Sequence, residues 1–415
     1  MLMLCNYSVD ASVRIQNIKY QGNVVTDEVL LNNALYIKSG DELIYALVEK
    51  SKQSIMDIGM FKSVHFYVNK IESNEYFDET DSLVDIVFVV TEKIYFLIVP
   101  KVKIDDDRFN YGAQLRWDNI FGLNHKMRAS VIDRGSTLGV KERRDLFKYF
   151  YPNVNDTAFN FDFLIASENF VDEENLSVIN REDNSFRFAI SRWLTKDKHN
   201  RGWFSGGSFS FKNRFNDDLV NNEKSDEISA VTLGVDVGYK NINTFKFNRG
   251  GKAYGYKLDW SHDSFGSETQ YAKHLLYYRS YYRFRKYPIS NLNVQFQFGH
   301  SNADILGDKA FRLGSRKDLR GYENNRFSGN TLLLMNFEFM FPHVNYPAIR
   351  YVTFVDIGNT YDALNEIFSE STNIGAGFGL RWKISTFVNV NLRADVGYGF
   401  TDDTYKFSFG TRHAF

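Results

Sequence analysis

The chain is poor in the features that mark most soluble enzymes and helical membrane proteins. One cysteine, Cys5, in 415 residues excludes an intrachain disulfide. Proline is scarce at 5, which leaves room for long uninterrupted strands. No run approaches the 18 or so apolar residues of a spanning helix, and mean hydropathy is −0.37. A strand-built membrane protein survives that test, because its spans alternate and average out as polar. Excess charge of one sign is also missing. With 50 basic and 51 acidic residues the net charge is −1, so there is no basic footprint for nucleic acid, and no nucleic-acid partner is expected.

Catalytic constellations are lacking too. The 8 histidines are scattered without metal-ligand spacing, and neither a His-Glu-x-x-His nor a Gly-x-Ser-x-Gly pattern occurs. Asp105-Asp106-Asp107 reads as a solvated turn between strands rather than a cation site. Gly375-Ala376-Gly377-Phe378-Gly379 invites a nucleotide-loop reading, but it sits inside an alternating strand with no helix after it. Small inward-facing residues explain it better. No enzyme, no metal and no cofactor are expected. Residues 1–12 read as an N-terminal stump: Met1-Leu2-Met3-Leu4 is too short and uncharged for a whole signal peptide, and Met3 and Leu4 are not the small residues that precede a lipidated cysteine.

What is abundant is aromatic side chains, with 38 Phe and 25 Tyr, which suit pleated surfaces. They fall into two regions of different period. Residues 13–93 read as a small α+β domain of order β-α-α-β-β. Val13, Ile15, Ile18 and Tyr20 lead to a Gly22-Asn23 turn. Thr26 is the expected N-cap of a helix carrying Val29, Leu30 and Ala34, and Leu43 to Ile58 a second helix stopped by Gly59. Val64, Phe66 and Val68 then alternate, and Leu83 to Val90 is a more continuously apolar run.

Residues 94–415 change to a period of two. Leu292, Val294, Phe296 and Phe298 alternate with Asn293, Gln295, Gln297 and Gly299. Val388, Val390, Leu392, Ala394, Val396 and Tyr398 alternate with Asn389, Asn391, Arg393, Asp395 and Gly397. Similar runs begin at Val231 and Ile374. Each is ten or so residues long, the length of a tilted membrane strand, and longer than a typical sandwich strand. About sixteen such strands are expected from the alternation, with long polar loops at 168–183, 215–228 and 301–330. Lipid offers no water to satisfy an open edge, so the expected fold is an all-β transmembrane barrel of about sixteen antiparallel strands behind the small α+β domain. Tyr405, Phe407, Phe409 and the terminal Phe415 would form the aromatic face of its closing strand.

This tandem resembles the BamA/TamA-type outer-membrane assembly and transport barrels, which join POTRA domains to a sixteen-stranded barrel. Residues 13–93 resemble a single POTRA domain in Gly22-Asn23, Gly40, Ile58-Gly59-Met60-Phe61 and Val89-Val90-Thr91-Glu92. Tyr111-Gly112 and Asn119-Ile120-Phe121-Gly122 resemble the family's early barrel strands. The most specific segment, Phe311 through Leu319-Arg320-Gly321-Tyr322 to Phe327 and Gly329, resembles the loop motif of the family; Asn336-Phe337-Glu338 and Phe354-Val355-Asp356-Ile357-Gly358-Asn359 resemble the two strands after it. Ser315, Asp318 and Met340 depart from the pattern, standing where Gly, a small hydroxyl residue and Arg are common.

The resemblance implies a loop, 301–330, folded back into the lumen, with Arg320 meeting the wall acids Glu338 and Asp356. Arg320 carries the planar fork that suits such pairing. Gly321 would permit a tight turn and Tyr322 would wedge against the wall. Glu338 and Asp356 face inward if Phe337, Phe339, Phe354, Val355 and Ile357 supply the lipid or packing surface, although alternation cannot place both Phe354 and Val355 outward. It also implies a seam between the first strand (about 95–104) and the last (about 405–415), where Gly410 either weakens the closing strand or relieves crowding in the lumen, with Phe415 at the end. The implied function is outer-membrane protein assembly, insertion or translocation. Its implied partners are unfolded outer-membrane or secreted clients, periplasmic accessory proteins and the lipid bilayer. The implied place is the bacterial outer membrane with the POTRA domain in the periplasm, the mitochondrial outer membrane being the alternative. A passive porin and the membrane-anchor module of a patatin-type protein are the competing functions.

Overall fold

The computed structural model describes residues 13–71, 82–105, 108–134, 142–174, 177–195, 201–218, 223–224, 227–388 and 390–411. Cys5, residues 1–12, Asp106-Asp107 and Phe415 lie outside the described residues.

The N-terminal unit is β1 (Val13–Gln21), α1 (Glu28–Asn32), α2 (Tyr45–Ile58), β2 (Phe61–Lys70) and β3 (Ser82–Glu92), the expected order. The most apolar strand, β3, lies in the centre of the sheet, parallel to β1 and antiparallel to β2. Its five residues Val84 to Phe88 are all buried, and the one acid among them, Asp85, accepts from Asn17 at 2.9 Å and Lys19 at 2.5 Å. Leu31, Val48, Ile55, Met60, Phe61 and Phe88 make the core between helices and sheet. Gly59, with φ of 85°, ends α2 in the left-handed conformation. Thr26 is not the cap of α1. Asp27 is, accepting from the Val29 amide at 2.8 Å, while Thr26 is buried against Tyr95 and Asn119.

The barrel is a closed antiparallel ring of sixteen long strands among the described residues. They are β4 (Phe96–Asp105), β5 (Arg108–Ile120), β6 (His125–Arg134), β7 (Glu142–Tyr151), β8 (Phe159–Glu174), β9 (Ser177–Trp193) and β10 (Gly202–Asp218). After a two-residue extension, β11 (Glu223–Lys224), come β12 (Ile228–Thr244), β13 (Arg249–Ser261), β14 (Tyr271–Arg283) and β15 (Asn291–Ser301). A loop hairpin, β16 (Phe311–Leu313) with β17 (Phe327–Gly329), precedes β18 (Thr331–Pro342), β19 (Ile349–Tyr361), β20 (Asn373–Ile384), β21 (Val390–Gly399) and β22 (Thr404–Thr411). β22 neighbours β4 and closes the ring. The period-two pattern sorts as expected: Asn291, Asn293 and Gln295 are buried toward the lumen, while Phe378 and Phe407 stand 65 % and 72 % exposed on the outer face, where lipid replaces water.

Three expectations are corrected here. Segments 168–183 and 215–228 are not simply loops. β8, β9, β10 and β12 run 16 or 17 residues, or about 55 Å, more than the roughly 42 Å a strand tilted by 45° needs to cross the hydrocarbon. Their polar residues pair across the ribbon rather than leave it, as in Arg144 with Glu168 at 3.5 Å. Val388 does not face lipid; with Tyr95 it joins the core of the N-terminal unit, which is thereby rooted in the barrel.

Further bonds fix that root. Asn119 donates to Thr26 at 2.9 Å and the Asp27 amide to Gly122 at 3.1 Å, so the Asn119–Gly122 turn is a docking edge. Arg116 reaches the Val388 carbonyl at 3.1 Å, and Gln53 of α2 reaches that of Thr244 at 3.0 Å. Ile55 is fully buried in the small core, so Ile55→Ala is expected to cost about 2–5 kcal/mol of that domain's stability. Limited proteolysis should cut within residues 13–93 sooner, while the barrel keeps its heat-modifiable gel migration.

Candidate functional site

The segment between β15 and β18 folds into the barrel and carries Arg320 between its two short strands. Its small apolar core of Phe311, Leu313, Leu319 and Tyr322 packs on Leu332 and Leu334 of the wall. Ser315 and Asp318 serve one another. The Asp318 carboxylate accepts from the Ser315 hydroxyl at 2.8 Å and from the Gly314 and Leu319 amides at 3.1 and 2.7 Å. The turn leading to Arg320 is therefore closed by side-chain bonds. Gly321 has φ of 98°, and a Cβ there would lie 2.6 Å from the backbone of Tyr398 and Gly399, so no other residue fits without displacing the wall.

Arg320 makes a bidentate pair with Asp356, Nε to Oδ2 and Nη2 to Oδ1 both at 2.6 Å, and its amide adds a third bond at 3.1 Å. Nη1 donates to Glu338 at 2.5 Å. The face of the guanidinium lies 3.6 Å from the ring centre of Phe354, a cation–π contact. Phe354 therefore points into the lumen and Val355 outward, settling the conflict of alternation at this strand; Phe354 is not part of the lipid surface. Burial opposes the charge on Arg320, but Asp356 and Glu338 outweigh it and hold the guanidinium pKa above its ordinary value. Tyr322 packs behind, its hydroxyl donating to the Ile374 carbonyl at 2.6 Å and accepting from the Thr401 amide at 3.2 Å. The inward small residues of β20 have a use in this geometry: a Cβ on Gly375 would stand 2.0 Å from the Arg320 carbonyl.

Other members of the network were not singled out from the sequence. Glu338 also accepts from Arg381 at 2.9 Å, Arg381 donates to Asp395 at 2.5 Å, and Arg393 donates to Asp395 at 2.7 Å. Three arginines thus meet three carboxylates on the loop and on β18 to β21, each residue at most 3 % exposed. Asn336 stitches the loop to this network, donating to the Asp318 carbonyl at 2.5 Å and to Asp356 at 2.7 Å. Arg393 and Asp395 occupy the polar half of an alternating run, so their inward position was legible; their pairing was not. Met340, standing where Arg is common, is fully buried with Val352 and Phe354.

The loop also touches the closing strand. Arg316 donates to the Phe409 carbonyl at 2.8 Å and lies over Gly410, where a Cβ would sit 2.8 Å from its Nη1. The ladder through Gly410 is unbroken, paired with Arg393 of β21. Thr404 donates to the Gly321 carbonyl at 3.2 Å, and Lys406 pairs with Glu323 at 2.9 Å. Nothing in the sequence marked Arg316. Phe415, the other seam residue expected, lies outside the described residues.

Arg320→Ala is expected to leave the buried Asp356 without a cation and Glu338 with Arg381 alone, at a cost of about 3–5 kcal/mol if Asp356 stays charged. Trypsin should then cut the exposed Lys317 and Arg326 several-fold faster while the barrel still forms, and Arg320→Lys should not restore protection because it lacks the fork. Cleavage at the wild-type rate in the alanine variant would show the loop to be held by its apolar contacts instead. Gly410→Ala should displace Arg316 and speed cleavage after that residue, with little change at Lys317.

Comparison with known proteins follows the same outline. An Omp85 superfamily domain model matches residues 119–415, and a POTRA model, described as a surface antigen variable number repeat, matches 13–93. No curated protein matches the chain in sequence. Among solved structures it is similar to BamA from Haemophilus ducreyi lacking POTRA domains 1-3, at 15 % identity and a TM-score of 0.55 over 96 % of this chain and 84 % of that one. CdiB from Escherichia coli aligns at 14 % identity and 0.63 over 97 % and 75 %, and CdiB from Acinetobacter baumannii at 14 % and 0.61 over 96 % and 73 %. With a POTRA domain, a closed sixteen-strand barrel and an arginine-anchored lumen loop, the chain belongs to the Omp85 superfamily of outer-membrane β-barrels, of the BamA/TamA type.

Proposed function

We propose that this barrel inserts or translocates unfolded polypeptides at a bacterial outer membrane, with its POTRA domain on the periplasmic side receiving clients and any accessory protein. The single observation that carries the reading is the fixation of the lumen loop by the Arg320–Asp356–Glu338 cluster. A passive pore has no use for a lumen filled by a loop held on buried charges. The same loop reaches the closing strand through Arg316, so loop position and seam are mechanically joined. The clients would engage an exposed strand edge, at the seam or on β1 and β2 of the domain, by adding a strand of their own.

Reconstituted in liposomes, the full chain is expected to accelerate the membrane insertion of a urea-unfolded outer-membrane barrel, read by heat-modifiable migration. Arg320→Ala should lose most of that acceleration. In planar bilayers the wild type should conduct little, and deletion of 303–329 should raise conductance to that of an open barrel. Steady open-pore conductance with the loop intact, and no acceleration of insertion, would favour the porin.

A further inference from the structure

At the end of the barrel where the N-terminal domain docks lies a cavity of about 270 Å³ between the last turn of α2, the β12–β13 turn and the β20–β21 turn. Lys93, Arg201, Lys240, Arg249 and Lys383 line it, with Asp57 the only carboxylate among its described lining residues. The chain as a whole carries 50 basic and 51 acidic residues, so this is a strong local segregation of charge.

The lone acid is already engaged, since Asp57 pairs with Arg201 and accepts from the Thr244 amide at 2.5 Å. Two of the lysines are held by neutral carbonyls, Lys93 by Gly59 at 2.8 Å and Lys383 by Phe245 at 3.1 Å. A carbonyl satisfies the donors of an ammonium group but does not neutralise its charge. Lys240 is exposed, with no carboxylate or carbonyl partner among the described residues. Burial pushes the Lys93 ammonium down to about 8 even with Asp118 pulling the other way. Beside the cations the lining is mixed: Phe247, Phe387, Ile242 and Val390 are interspersed with neutral polar side chains such as Asn33, Asn248 and Thr244.

We infer that this cavity is a binding site for an acidic segment of polypeptide, its carboxylates meeting Lys240, Lys383 and Arg249 while a neighbouring apolar side chain lies on Phe247 and Phe387. A free phosphate would use the charges and leave Phe247 and Phe387 uncovered. The volume admits one or two side chains rather than a folded element. The inference rests on the proposed polypeptide-handling role for the nature of the ligand, and it adds a point of selection, because the site would hold an acidic stretch between the POTRA domain and the lumen.

The test uses the full chain in detergent micelles and a fluorescein-labelled octapeptide alternating Asp with Phe, beside a twin with Asn for every Asp. Fluorescence anisotropy is expected to show the Asp peptide binding at least about tenfold tighter than its twin, with affinity falling as salt rises. The double variant Lys240→Gln/Lys383→Gln should lose about tenfold of that affinity, and Lys240→Arg/Lys383→Arg should keep it, so a general folding defect is told from loss of charge. Equal binding of the two peptides, or an unaffected glutamine variant, would overturn the site. Sodium phosphate that binds alone and displaces the peptide at equal concentration would reassign it to small anions and overturn the peptide. Because insertion into liposomes is measured separately, an active chain that ignores the Asp peptide refutes this inference and leaves the proposed function standing.

Discussion

The pairing of one arginine with two buried carboxylates governs the interior of this barrel. A guanidinium carried into the lumen on a loop would be costly to desolvate unless its donors found acceptors of opposite charge. Asp356 and Glu338 supply them from adjacent strands, and Arg381, Arg393 and Asp395 extend the arrangement across two more. Such a network adds little net stability compared with an apolar core of the same volume. Its effect is to make one loop position much better than every other, since any displacement leaves charges unpaired.

That placement explains features that look unrelated along the chain. Gly321 and Gly375 are places where loop and wall backbones lie too close for a side chain. Gly410 leaves room for Arg316 at the closing strand. Ser315 and Asp318, which each depart from the family pattern, are bonded to one another, so one departure accommodates the other. The loop is bound to β18 through β22 and thus to one side of the seam, while the N-terminal domain is rooted on β4, β5 and the turns of the same end of the barrel.

The electrostatics of the lumen and of the domain junction are opposites. In the network around Arg320 three arginines meet three carboxylates. At the junction, among the described lining residues, five cations face one carboxylate that is already paired. The first arrangement holds the protein's own loop; the second is left with charge to offer to something else.

The two-residue period of 94–415 and the ten-residue scale of its runs determined that this is a barrel, because a lipid-facing strand must be apolar on one side and cannot leave an edge unsatisfied. The order β-α-α-β-β was likewise legible from local periodicity, whereas the central place of the most apolar strand came from the sheet order. The inward position of Glu338 followed from alternation, and that of Asp356 in part from resemblance. Tertiary structure alone decided the rest. Alternation cannot choose between Phe354 and Val355, and the cation–π contact with Arg320 made that choice. Strand length beyond the membrane depends on cross-strand pairing such as that of Arg144 with Glu168, which the polar sequence of 168–183 does not show. Thr26, Val388 and Arg316 act on residues 69 or more positions away along the chain, and no local pattern encodes a contact of that kind.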